Sequence, residues 1–201
     1  MMVRSTLVAA LLMTAAHVPT PTATAHAGPD WPTCPNAGPV FHAKLSVSGR
    51  SGALVQDGGA QVVTIGKGGG ITVTDVGGQI GSGVFLSGQN GPDGWPGDTA
   101  PWDKGRHGGY AWPMPGSPRF SLVGVFYDRA TGVRRTTYTR KATSGTAAVS
   151  RGAFYVGYGT PKCVPAPRDR ETMVRLMVND DDSLDNDGAF TAIVRVHRRW
   201  R

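Results

Sequence analysis

The sequence predicts an all-β protein, a sandwich or barrel of short strands. Three observations carry that expectation. Several stretches alternate apolar and polar residues with period two, as in Phe41, Ala43, Leu45 and Val47 against His42, Lys44, Ser46 and Ser48. Turn formers punctuate these stretches at fairly regular intervals, drawn from 29 glycines and 15 prolines in 201 residues. Finally, Leu and Glu are uncommon, and no 3.6-residue apolar stripe follows the first residues.

Residues 1–27 read as a secretory signal. Arg4 supplies the positive start, Leu7 to Ala16 the short apolar run, and Ala25-His26-Ala27 the small-residue cleavage pattern. The run is shorter than the ~20 residues a membrane-spanning helix needs. An uncleaved N-terminal anchor is the alternative. No other segment is apolar enough for a transmembrane helix, so an exported, extracellular or periplasmic product is expected. Residues 28–39, rich in proline and carrying Trp31 and Cys34, read as an extended N-terminal strap. Residues 40–201 read as one domain, long enough to bury a core.

Strands are expected at Phe41 to Ser48, Gln61 to Ile65, Ile71 to Val76, Ile80 to Leu86, Phe120 to Tyr127, Arg134 to Arg140, Ala147 to Tyr158, Thr172 to Val178 and Ala189 to His197. The run Gly68-Gly69-Gly70 reads as a turn. Ser87 to Arg119 breaks the rhythm, with little strand signal and much Gly, Pro, Trp and Asp. Trp95, Trp102 and Trp112 argue for an ordered excursion, because disordered segments are poor in aromatics. Cys34 and Cys163 are the only cysteines. In an exported chain two thiols read as one disulfide, with two free thiols as the alternative.

The most informative stretch lies near the C-terminus. Asp180, Asp181, Asp182, Asp185 and Asp187 crowd into one loop between two strand-like runs. The full chain carries a net charge of +7, and loss of Arg4 leaves +6, so this is not part of a generally acidic surface. Crowded carboxylates repel one another unless a cation sits among them, and Ca2+ prefers hard oxygen ligands in a flexible loop. An EF-hand does not fit: Leu184 falls at a ligand position, and alternating strand follows Gly188 where a helix is required. A polar hairpin turn, Asn186-Asp187-Gly188, neutralised by arginines, is the alternative reading.

The run Leu176-Met177-Val178-Asn179-Asp180, continued by Asp185-Asn186-Asp187-Gly188-Ala189-Phe190, resembles the C-terminal calcium loop of the bacterial calcium-dependent galactophilic lectins of the PA-I type and their relatives. Three upstream pieces stand in the expected order. Gly91-Pro92-Asp93-Gly94 resembles the opening of the long loop. Pro113 to Pro118, leading into Phe120 to Gly124, resembles its return into the core. Phe154-Tyr155-Val156-Gly157 resembles a later strand. The resemblance covers roughly residues 61–196. It implies a jelly-roll-like β-sandwich, bound Ca2+ and a carbohydrate or glycoconjugate partner. By position it implies Asp180, Asp185 and Asn186 as metal ligands, with Asp182 or Ser183 supplying a further oxygen and a backbone carbonyl of residues 87–90 completing the shell. Asp180 and Asp185 would also meet the sugar. The family places a His-Pro pair and a glutamine against galactose. Here Trp112 and Pro115 stand in that stretch, so galactose specificity is not implied, and Trp112 would offer a ring face for stacking.

Asp93, Asp98, Asp103 and His107 in the long excursion could in principle serve hydrolysis, as paired carboxylates do. No nucleophile elbow or HExxH motif accompanies them, so the chain is not expected to be an enzyme. His26, His42, His107 and His197 are scattered and suggest no zinc site. Basic residues cluster at Arg134-Arg135, Arg140-Lys141, Arg168 to Arg170 and Arg195 to Arg201. They would suit an anionic surface, or form a solvated face. No motif for a specific nucleic-acid partner accompanies them. The functional expectation is a secreted, calcium-dependent carbohydrate-binding protein. The alternative is a calcium-stabilised structural or interaction module of the cell envelope without sugar affinity.

Overall fold

The computed structural model describes residues 41–56, 63–83, 88–101, 112–135, 149–150, 152–160 and 163–197. The expected signal, the strap and Cys34 lie outside them. Among these described residues ten strands run in the order β1 (Phe41–Ser48), β2 (Ala53–Leu54), β3 (Gly70–Gly81), β4 (Gln89–Asn90), β5 (Leu122–Asp128), β6 (Val149–Ser150), β7 (Ala153–Tyr155), β8 (Val164–Pro165), β9 (Thr172–Val178) and β10 (Asp187–His197). They form two antiparallel sheets. The first is ordered β1-β10-β3-β4, with β8 also pairing β3, and the second β2-β9-β5-β7-β6.

Period-two alternation builds the core between the sheets. Val47, Ile71, Val73, Phe190 and Val194 come from the first sheet, and Leu122, Phe126, Phe154, Val174 and Leu176 from the second, all in one buried cluster. The protein is therefore an all-β sandwich. Gly124 faces inward from β5 because the ring of Phe154 occupies the space beside it, and a Cβ at Gly124 would collide with that ring. Phe126 packs on the same ring with centroids 5.1 Å apart.

Strand boundaries depart from the sequence reading in several places. Ile71 to Val76 and Ile80 to Leu86 are not two strands, since β3 runs unbroken from Gly70 to Gly81. Gly77 and Gly78 stay inside it, and the left-handed backbone at Asp75 (φ 50°) lies within a register shift opposite Thr191 and Ile193, with Gly78 (φ 94°) close by. Residues 84–87 lie outside the described set. The expected Ala147 to Tyr158 strand is a hairpin, β6 and β7, broken where Gly152 takes φ 72°. Arg134 and Ile65 stand in isolated bridges, to Tyr127 and Thr172, and not in strands. The remainder of Arg134 to Arg140 beyond Arg135, and residues 61–62, lie outside the described residues. Two of the matched runs begin elsewhere than expected: β5 starts at Leu122, and β10 starts at Asp187.

The strand directions give the sandwich two chemically different ends. Val178, Leu122, Ser48, Gly81 and Asp187 lie at one end, where β9 leads through the acidic loop into β10. Thr172, Asp128, Phe41, Gly70 and His197 lie at the other. At this second end Asp128 is buried and accepts from the backbone N–H groups of Ala130 (2.9 Å) and Thr131 (3.0 Å). Arg170 meets its other oxygen at 3.1 Å and Arg135 approaches at 3.6 Å. Arg135 also binds both oxygens of Asp169, at 2.8 and 2.7 Å. Among the described residues no helix is long and apolar enough to cross a membrane.

The Thr131 N–H, then Arg170, hold the Asp128 carboxyl below its ordinary 3.8. A carboxylate with a lowered folded pKa contributes stability above its unfolded pKa and loses it as pH falls through the folded value. Asp128→Asn should therefore flatten the acid limb of a melting-temperature profile taken between roughly pH 5 and pH 2. A variant profile parallel to the wild type would show that Asp128 adds nothing to acid sensitivity.

Candidate functional site

The site begins where β9 runs out. Asn179 extends the pairing by one residue: its N–H donates to Ser121 O at 2.8 Å, and its carbonyl accepts from Phe120 N at 2.8 Å. Its side chain is fully buried and holds the return of the long excursion. The amide oxygen accepts from Met114 N at 2.8 Å, and the amide nitrogen donates to Met114 O and Pro118 O, each at 3.1 Å. The excursion is ordered where described. Thr99 bridges Pro118, and Ala100 N donates to Ser117 O at 2.8 Å, so residues 98–100 and 116–119 run against one another. At its opening, Asp93 accepts from the Tyr155 hydroxyl at 2.9 Å and Tyr158 N at 3.2 Å.

The acidic loop folds on itself after Asn179. Asp180 Oδ1 accepts from Asp182 N at 3.1 Å. Asp182 Oδ1 accepts from Leu184 N at 3.3 Å and caps a short 3-10 turn, Ser183–Asp185. Ser183 Oγ donates to Arg50 O at 2.9 Å. Asn186 donates through Nδ2 to Gly49 O at 3.3 Å, while Arg50 Nε donates to Asn186 O at 2.9 Å. Asp187 Oδ1 accepts from Gly81 N at 2.9 Å. The carboxylate of Asp185 lies against Gly83, where a Cβ would collide with it.

Two oxygens are left over. Asp180 Oδ2 and Asn186 Oδ1 are buried and have no hydrogen-bond partner. Buried acceptors are normally satisfied, so such atoms call for a specific explanation. Burial, opposed by the Asp182 N–H and by Asn186 and reinforced by Asp185 and Asp181, pushes the Asp180 carboxyl up to about 6. Burial thus disfavours the ionised form unless a positive partner offsets it. Two unpartnered oxygens of this kind are the hard donors that a cation such as Ca2+ accepts. Among the described residues no three His, Cys, Asp or Glu side chains gather into a metal-holding group. The Asp180 carboxylate and the Asn186 amide come together, and the Asp185 carboxylate, which lies against Gly83, is near enough for its charge to act on Asp180.

Of the five ligands expected from sequence, Asp180 and Asn186 carry the unpartnered oxygens, and Asp185 lies nearby against Gly83. Asp182 and Ser183 line the same loop, with Asp182 Oδ1 and the Ser183 hydroxyl proton engaged in bonds within it and to Arg50. Residues 89–90 pair with Ile80 and Gly81 beside Asp187, while Ser87 lies outside the described residues. Trp112 does not offer an open ring face. It is 5% exposed, with the Arg119 guanidinium 5.3 Å from its ring centroid and Phe120 edge-on at 6.3 Å. Trp95 meets Phe120 at 4.8 Å, and Trp102 is outside the described residues. Asp98 pairs with Arg119 at 3.4 Å, and Asp103 and His107 are also outside. Cys163 is buried, but its expected partner Cys34 falls among the residues not described.

Sequence reasoning missed the hairpin after β1. Gly49 sits so close to the loop that a Cβ would meet Asp187 O at 2.7 Å. The signal available was Ser48-Gly49-Arg50-Ser51-Gly52, a turn with one cation, but nothing in it names the acidic loop as its neighbour.

No family model matches the chain, and no curated protein matches it. Among solved structures, it is similar to the EclA N-terminal domain, described as a PllA-like lectin, at 17% identity and a TM-score of 0.43, covering 80% of this chain and 98% of that one. The description belongs to that domain, and an overlap this loose says nothing of what this chain binds.

Asn179→Ala strands the Met114 N–H and two carbonyls in a buried place. It should destabilise the fold by on the order of 2–3 kcal/mol, read by urea unfolding. A cost within experimental error would mean that the return of the excursion is held by other contacts.

Proposed function

We propose that this is an exported, calcium-dependent carbohydrate-binding protein, and not a catalyst. The observation that carries the proposal is the pair of buried, unpartnered oxygens, Asp180 Oδ2 and Asn186 Oδ1, at the acidic end of the sandwich. Asp180, Asp185 and Asn186 would hold the ion, with Asp182 or Ser183 contributing once the loop adjusts. When bound, the ion would supply vacant coordination positions for vicinal hydroxyls. The chain's own share is to fix the loop from three sides, through Asn179, the Gly49-Arg50 hairpin and Gly81. Asp180 and Asp185 would then accept hydrogen bonds from the same hydroxyls. The resemblance of Asn179-Asp180 and Asp185-Asn186-Asp187-Gly188 to the galactophilic lectin loop supports this reading.

One observation favours the second reading, a calcium-stabilised interaction module without sugar affinity. Trp112 lies packed under Arg119, so the aromatic face expected to cover a sugar is occupied by the protein itself. No galactose preference is expected under either reading, because Trp112 and Pro115 stand where the lectins place their sugar-contacting histidine and glutamine.

Calcium at a hundredfold excess over its dissociation constant should raise stability by about 2.7 kcal/mol through binding to the folded state. A melt in calcium should therefore lie above a melt in chelator, and Asp180→Ala or Asp185→Ala should erase the difference. Identical melts would reject the metal site.

A glycan array separates the two readings. Multivalent display compensates for the weak affinity of a single sugar, so calcium-dependent spots should appear and vanish with chelator. A calcium-raised melt with a blank array would establish the interaction module.

A further inference from the structure

The two ends of the sandwich carry opposite charge. Asp180, Asp181, Asp182, Asp185 and Asp187 lie at one end with Arg50 as the nearby cation. At the other end, three turns meet. Gly68 N donates to Pro167 O at 3.2 Å, which brings Lys67 beside Arg168. Arg129 N donates to Glu171 O at 3.1 Å, which joins the turn after β5 to the segment before β9. Arg195 lies close by on β10, in register with His42 on β1 and Thr72 on β3.

The sequence suggests four basic clusters, Arg134-Arg135, Arg140-Lys141, Arg168 to Arg170 and Arg195 to Arg201, and the structure divides those members that it describes. Arg135 and Arg170 are engaged by Asp128 and Asp169. Lys67, Arg129, Arg168 and Arg195 have no carboxylate partner among the described residues. Arg129 and Arg195 donate instead to the hydroxyls of Thr64 and Thr74. Neutral partners hold the stems in place while leaving the charge uncompensated. Lys67, Arg129 and Arg168 are exposed on their turns.

We propose that this basic end binds an acidic polysaccharide, the carboxylate or sulfate groups of one chain bridging Lys67, Arg129 and Arg168. Guanidinium groups bind such oxyanions in a bidentate fashion. The surroundings disfavour other polyanions. Val133 is the one exposed large apolar side chain at this end among the described residues, too little for insertion into a membrane. Tyr158, the exposed aromatic among the described residues, lies by Asp93 and Gly91 toward the opposite end, so none stands here ready to stack on nucleobases. Binding here would leave the acidic end directed away from the polymer and open to its own ligand. The basic-end site is independent of the calcium site, since the two share no residues.

The test is retention on immobilised heparin and on immobilised polygalacturonate, one sulfated and one carboxylated. The full mature chain should bind at low salt, elute as ionic strength shortens the Debye length to a few ångströms, and keep binding in chelator. The triple variant Lys67→Gln, Arg129→Gln, Arg168→Gln should lose at least tenfold in affinity for both while melting as the wild type does. Asp98→Asn at the opposite end, outside either proposed site, should leave retention unchanged. Undiminished binding by the triple variant would overturn the proposal, as would loss of binding in chelator. Equal or tighter binding to duplex DNA, or to vesicles containing anionic lipid, would overturn the assignment to polysaccharide. If the triple variant fails to fold, Arg168→Gln alone should lower retention, and no change in it would have the same overturning force.

Discussion

The acidic end of this molecule depends on one buried amide. Asn179 is the residue at which β9 stops being a strand, yet its backbone still pairs with Ser121 and Phe120. Its side chain reaches the opposite way and satisfies backbone groups of Met114 and Pro118. A carboxylate there would have no donor for those carbonyls, and an aliphatic side chain would leave all of them unpaired. The amide alone supplies both donor and acceptor at that length. Because Asp180 comes directly after it, the same residue that closes the long excursion also sets the first carboxylate of the loop. The neighbouring backbone shows the tension of this junction. Phe120 takes φ 59°, a left-handed conformation that is uncommon without glycine, between the Arg119 carbonyl that binds Trp95 N and its own N–H bound to Asn179.

Much of the sandwich is legible in the sequence because its long strands alternate. Phe41 to Ser48 and Thr172 to Val178 match their strands residue for residue, since each has a solvent or outer face that differs from its core face. Legibility fails where the backbone, rather than the side chains, carries the information. Ile71 to Val76 and Ile80 to Leu86 read as two strands, and only the pairing with β10 shows that left-handed Gly78 lies inside a continuous one. The two-residue strands Ala53–Leu54, Gln89–Asn90 and Val164–Pro165 are too short to show any period.

The candidate site divides in the same way. Aspartates crowded between two strands are visible as a string of letters, and so is the family-like order around them. Which oxygens are left without partners is not visible. Asp182 and Asp187 look as suitable as Asp180 in sequence, and all three have one oxygen bound to a backbone N–H, but of these three only Asp180 keeps its other oxygen buried and unpartnered. The Gly49-Arg50 hairpin lies far from Asn186 along the chain, so only tertiary structure reveals that it braces that residue. Trp112 is ambiguous in the opposite sense. A tryptophan in a long loop reads either as an open platform or as loop packing, and only the structure shows the cation–π packing under Arg119 that gives the ring an internal role.

The polarity of the sandwich arises from how the two ends treat charge. At the basic end, the carboxylates Asp128 and Asp169 are satisfied by backbone N–H groups and arginines, and the surplus is cationic and exposed. At the acidic end the surplus is anionic and partly buried, where water cannot relieve it. Exposed charge acts over about a Debye length and yields to salt. Buried oxygen acceptors act only at contact and demand a partner of defined size. One fold can therefore carry a long-range, tolerant surface and a short-range, selective one without either disturbing the other. The separation has a structural cause. The acidic loop joins β9 to β10 across one end of the sandwich, and the turns bearing Lys67, Arg129 and Arg168 close the other, so the length of the strands keeps the two apart.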